Sequence, residues 1–92
     1  SKKLSVPIPP DFREFNQRDV IRILEALAQR LEIPITFSKG IRGRPEKNRR
    51  CSFRISDPLP LDTYLQETLI DAAPWLKIEY QFNAIEVSLA TE

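Results

Sequence analysis

Between Ser38 and Arg50 the chain carries Lys39, Arg42, Arg44, Lys47, Arg49 and Arg50 against the single carboxylate of Glu46. This local charge of +5 sits in a chain whose formal net charge is +1, so the rest of the sequence carries a net −4. Segregated charge of this kind suits an anionic partner. Within the run, Arg42-Gly43-Arg44-Pro45 matches the core of an AT-hook. In that element a glycine lets the backbone approach the floor of an A·T-rich minor groove, and flanking arginines exploit its negative potential. Gly40-Ile41-Arg42-Gly43 fits the glycine-x-x-glycine loop of KH domains, but that loop joins two helices and this run joins two predicted strands, which excludes the KH reading. The AT-hook match is four residues long. A solvated loop whose cations keep strand edges from pairing, or face an acidic protein, is the favoured reading for Lys39, Arg42, Gly43, Arg44, Lys47, Arg49 and Arg50.

Other chemistry is sparse. The chain has no histidine, and so lacks the usual neutral-pH acid/base and the commonest metal ligand. Asp11, Glu14, Asp19, Glu25, Asp57, Asp62, Glu67 and Asp71 form no recognisable acid/base pair, and several sit where helix starts and turns want negative charge. The one cysteine, Cys51, shares an alternating face with Phe53 and Ile55, which points to a buried, inert thiol. Glycine numbers two, and neither belongs to a phosphate-binding loop. A non-enzymatic domain with no metal and no cofactor is expected. With no methionine, the chain is expected to belong to a longer protein.

Ninety-two residues with a 41% hydrophobic fraction suffice for one core, so a single domain is expected over residues 11–92. Ser1 to Pro10, with Lys2, Lys3 and its prolines, reads as an extended arm or linker. Phe12–Phe15 is a predicted first strand, with Asn16 capping a helix and Asp19 at its third position. Val20, Leu24, Leu27, Ala28 and Leu31 recur at helical spacing until Pro34. Ile35–Phe37 is a short strand, Ser38–Asn48 a loop, and Arg50–Ser56 an alternating strand. Leu61, Leu65 and Leu69 mark a second amphipathic helix stopped by Pro74. Leu76–Phe82 and Ile85–Leu89 then alternate across an Asn83-Ala84 turn. The class is α+β, in the order β-α-β-β-α-β-β. Small sheets leave open edges that invite an added strand, and Ile35, Phe37, Ile85 and Val87 mark the candidate edge strands.

These residues resemble a known family, the short N-terminal domain shared by secretins and TonB-dependent transducing receptors. The resemblance runs from Phe15-Asn16-Gln17-Arg18-Asp19-Val20 through Ile33-Pro34-Ile35-Thr36-Phe37. It continues in Phe53-Arg54-Ile55-Ser56, in Leu59-Pro60-Leu61-Asp62-Thr63-Tyr64-Leu65, in Trp75-Leu76-Lys77-Ile78-Glu79-Tyr80 and in Asn83-Ala84-Ile85-Glu86-Val87-Ser88. It implies two helices between a two-stranded and a three-stranded sheet, in a periplasmic protein-contact module of a larger cell-envelope protein. In the receptor branch such a domain passes a signal to an inner-membrane regulator; in the secretin branch it packs into a homo-oligomeric ring and meets envelope partners. No direct insertion into the membrane is expected. The nucleic-acid alternative would instead place the parent in the cytoplasm.

Overall fold

The computed structural model describes residues 2–92; Ser1 lies outside the described residues. Strand β1, Glu14–Asp19, runs without a turn into helix α1, Val20–Leu31. The helix starts three residues later than expected because Asn16 and Gln17 are absorbed by a β-bulge. The register against the partner strand slips between Phe15 and Arg18, and Gln17 takes a left-handed φ of 52°. The bulge is pinned by Ser52, whose Oγ accepts from the Gln17 amide at 2.8 Å and donates to Asn16 Oδ1 at 3.3 Å. Asp19 takes the capping role expected of Asn16, its carboxylate accepting from the Ile21 amide at 2.9 Å. Glu32, at φ 55°, closes the helix with its amide on the Ala28 carbonyl, and Pro34 prevents continuation.

Strand β2, Ile35–Phe37, is followed by a second correction. The run expected to be a loop forms a short helix, α2, at Lys39–Gly43 and a 3-10 turn at Glu46–Asn48. Ser38 caps α2, and Ile41, the one large aliphatic residue of the run, is fully buried. Strand β3 is Arg50–Arg54. Helix α3 spans 61–72, with α-helical turns at Leu61–Thr63 and Ile70–Ala72 flanking a π-helical stretch at Tyr64–Leu69. A strict four-residue step drifts by about 40° per step around an ordinary α-helix. The wider π turns cancel that drift, so Leu61, Leu65, Leu69 and Ala73 all stay buried. Strands β4, Leu76–Tyr80, and β5, Ile85–Leu89, close the chain. The Gln81 amide donates to the Ala84 carbonyl at 2.8 Å, so the hairpin turns at Phe82-Asn83, one residue earlier than the predicted Asn83-Ala84, and leaves Phe82 fully exposed.

The class is α+β, with a two-stranded and a three-stranded sheet. β1 pairs antiparallel with β3; β5 lies in the middle of the other sheet, parallel to β2 and antiparallel to β4. Ile85 and Val87 therefore do not mark an edge: their strand is bonded on both sides, and both side chains are buried. A single core holds Leu24 and Leu27 of α1, Leu61 and Leu65 of α3, Cys51 of one sheet and Ile78 and Val87 of the other, so the long helices join the two sheets. Edge-to-face rings run through it from Phe12 to Phe15, Phe53 and Tyr64, with centroids 5.9, 5.7 and 5.6 Å apart.

The N-terminal segment is not a free arm. Ile8 is 1% exposed, its amide donates to the Leu59 carbonyl at 2.9 Å, and the Leu61 amide donates to the Val6 carbonyl at 2.8 Å. Prolines bar a long helix here, yet Lys2–Ser5 form a 3-10 turn before the chain docks in extended form at Pro7 against Pro60, and Leu4, Val6 and Ile8 supply its apolar contacts. Ile8→Ala is expected to destabilise the domain by about 2–5 kcal/mol in urea unfolding, as for a core aliphatic. A loss below about 0.5 kcal/mol would mark the segment as an appendage.

Candidate functional site

The basic segment is organised by an arginine that turns inward. Arg49 places Nη2 at 2.7 Å from Asp19 Oδ2 and Nε at 3.2 Å from Oδ1, a two-point grip on a carboxylate that is 4% exposed. Its Nη1 donates to the carbonyls of Arg42 and Arg44 at 3.2 and 3.1 Å. Every edge of this guanidinium is occupied within the fold, so Arg49 is a structural residue.

Arg44 is also engaged. Its guanidinium lies 4.2 Å from the centroid of the Trp75 ring, and its Nε donates to the Asn48 carbonyl at 2.8 Å. Arg42 sits 5.0 Å over Phe37 and makes a loose, exposed ion pair with Glu25 at 3.7 Å. Lys39, Lys47 and Arg50 are exposed and make no ion pair among the described residues.

This arrangement differs from what a minor-groove hook needs. Arg42 and Gly43 close a helical turn rather than an extended strip, and the two flanking arginines lie on different rings, Phe37 and Trp75. Gly43 has ordinary negative φ, and an added Cβ would meet no heavy atom within 4 Å. At Gly40 a Cβ would lie 2.5 Å from a Glu92 carboxylate oxygen and 2.9 Å from Leu89 Cδ1, so those side-chain ends would have to shift to admit one. That carboxylate accepts from the Leu89 amide and the Ser38 hydroxyl, at 2.5 and 2.7 Å, and these bonds hold its pKa below the ordinary glutamate range.

The strand edges sort differently from expectation. β2 is an edge, and Ile35 and Phe37 are half-buried on it, but it is only three residues long. The outer edge of β4 is partly closed, because the Leu76 amide donates to the Ala73 carbonyl at 3.0 Å and Gln66 Nε2 donates to the Ile78 carbonyl at 2.9 Å. β3 presents an unbroken outer edge beside a groove lined by Ser52, Phe53, Arg54, Ile55, Thr68, Asp71 and Ala72. The alternation of Arg50–Ser56 puts Arg50 and Ser52 on a polar strand face but carries no signal that β3 is an outer strand.

Remaining groups fit structural roles. Cys51 is 3% exposed, and burial, with a smaller contribution from Asp19, pushes its thiol up to about 11. The Tyr64 hydroxyl donates to the Phe12 carbonyl at 2.8 Å, and burial raises its pKa strongly. Among the described residues no cluster of three or more metal-ligating side chains occurs, and no helix is long and apolar enough to cross a membrane. No protein-family model, curated protein or solved structure matches the chain.

Two outcomes follow from this geometry. Arg49→Ala strands the Asp19 carboxylate in the interior and should cost about 3–5 kcal/mol in chemical denaturation, while Lys47→Ala stays within about 0.5 kcal/mol; equal effects would refute the distinction. Gly43→Ala should stabilise the domain by about 0.4–1 kcal/mol, because helical φ and open space favour alanine; destabilisation would show that the glycine is needed.

Proposed function

We propose that the domain is a non-enzymatic protein-contact module of a larger cell-envelope protein, of the secretin or TonB-dependent transducer type, serving secretion or transmembrane signalling from the periplasmic side. The observation that carries this reading is the topology. The chain order strand-helix-strand-short helix-strand-helix-strand-strand, with α2 added between β2 and β3, closes into a two-stranded β1–β3 sheet and a three-stranded β2–β5–β4 sheet joined by two long helices. This is the arrangement that the resemblance implies, and it supports the reading by analogy of fold. Independent support comes from the distribution of polar groups. Buried Asp19 and Tyr64, with the inward-turned Arg49, serve capping, pairing and core-tethering roles, whereas the unengaged cations and the open strand edge lie on the surface, where a macromolecular partner meets them. The inward commitment of Arg49 and the ring contacts of Arg42 and Arg44 weigh against a nucleic-acid hook.

The test is photo-cross-linking in the intact parent protein in its own cells, with the cross-linking residue placed in turn at Lys39, Lys47 and Arg54. A discrete protein adduct that survives nuclease treatment is expected. Adducts formed with nucleic acid alone, or no protein adduct from any of the three positions, would overturn the reading.

A further inference from the structure

Four outer strand edges are open to comparison, and three are impaired. On β1 the bulge at Asn16 and Gln17 interrupts the regular ladder. β2 is short, and β4 has two of its outward groups occupied by Ala73 and Gln66. β3 has neither defect.

The register says which of its groups are available. The Ile55 amide bonds to the Arg13 carbonyl at 2.9 Å and the Val20 amide to the Arg49 carbonyl at 2.8 Å. Antiparallel pairing alternates, so Arg49, Cys51, Phe53 and Ile55 direct their backbone groups at β1. The N–H and C=O of Arg50, Ser52 and Arg54 point outward, and no hydrogen bond to them occurs from any other element among the described residues. Across from them stands the last part of α3, leaving the groove between strand edge and helix as its own feature. A strand edge facing a helix across a groove is the geometry in which PDZ and PTB domains take an extended peptide as an added strand.

The side chains state what would fit. Arg50, Ser52 and Arg54 are exposed on the outer face, and among the described residues Arg50 has no ion pair while Arg54 has only a loose contact with Glu14 at 3.9 Å. On the inner side Phe53, Ile55 and Ala72 are half-buried apolar residues packed against the core. Asp71, on the helix wall, disfavours a carboxylate at an inward position. Resting on the protein-contact reading, we propose that the β3 edge binds an extended segment of a partner protein in which acidic residues alternate with apolar ones. Its carboxylates lie opposite Arg50 and Arg54, its apolar side chains enter the groove against α3, and its backbone bonds to Arg50, Ser52 and Arg54.

The probe is a seven-residue peptide alternating glutamate and valine, capped at both ends and titrated onto the isotope-labelled intact chain. Saturable binding is expected, with the Ser52 and Arg54 amides exchanging quickly in the free protein and becoming protected in the complex. The double variant Arg50→Glu/Arg54→Glu should bind at least about tenfold more weakly, and so should a peptide with lysine in place of glutamate. The lysine peptide keeps the test independent of whether the variant folds. N-methylation of the peptide amides that pair with β3 should abolish binding, whereas methylation of the alternate amides should leave it intact. No saturable binding, binding without protection of Ser52 and Arg54, or equal binding of the lysine peptide would overturn the edge proposal. A protein adduct in the cross-linking experiment, combined with any of these results, would leave the contact reading standing and move the contact elsewhere; no adduct at all would remove the reading itself.

Discussion

Asp19 ends β1, caps α1 and holds Arg49, and much of the molecule is arranged around that carboxylate. It is almost fully buried, and a charge withdrawn from water costs several kcal/mol unless paired and hydrogen-bonded. The Ile21 amide and two nitrogens of Arg49 supply that compensation. Arg49 is thereby fixed, and with it the segment that precedes it, because its third nitrogen binds the Arg42 and Arg44 carbonyls and its own carbonyl accepts from the Val20 amide. The basic run is drawn against the start of α1, which in turn sets Arg44 over Trp75 and Arg42 near Phe37 and Glu25.

The bulge in β1 serves the same junction. Without an extra residue, the strand would reach Asp19 in a register continuous with Phe15 and Phe53, and the pairings after the bulge would each be displaced by one. Gln17 adopts a left-handed conformation that a residue with a Cβ disfavours by roughly 1–2 kcal/mol. Ser52 offsets this by accepting from the Gln17 amide and bonding to Asn16. One side of the small sheet is thus kinked and its opposite side, β3, regular. The asymmetry makes the two edges of one two-stranded sheet chemically different.

How much of this is legible in the chain depends on whether the signal is local. The α1 stripe, the leucine steps of α3 and the alternation of β4 and β5 are periodic over many residues, and the fold class follows from them. A five-residue helix carries too little period to register: α2 holds both glycines, and only Ser38 followed by Ile41 at its third position hints at a capped turn. Asn16 and Asp19 are equally good capping residues, and the choice between them was made by Ser52 and Arg49, more than thirty residues away in the chain for one and thirty for the other. The prolines of the N-terminal segment mask its docking, which rests on Leu4 in a 3-10 turn and on Val6 and Ile8 in the stretch after it. Which strand ends at an edge is a property of pairing, so no periodicity within Ile85–Leu89 could have shown that it lies in the middle.

Counting charge along the sequence therefore misstates the charge that a partner meets. Of the six cations between Ser38 and Arg50, Arg49 is neutralised internally, Arg44 is laid on an indole and Arg42 shares its charge with Glu25. What remains on the surface is Lys39, Lys47 and Arg50, and Arg50 is the residue that opens β3. Arg54, outside the basic run, closes the same strand, while Arg18 of β1 pairs with Cys51 and lies over the Phe15 ring. The accessible positive charge thus moves from the apparent loop to the two-stranded sheet, where it borders backbone groups that still lack a partner. Long-range attraction and directional hydrogen bonding coincide there, which suits the capture of an extended acidic chain better than the reading of a nucleic-acid groove.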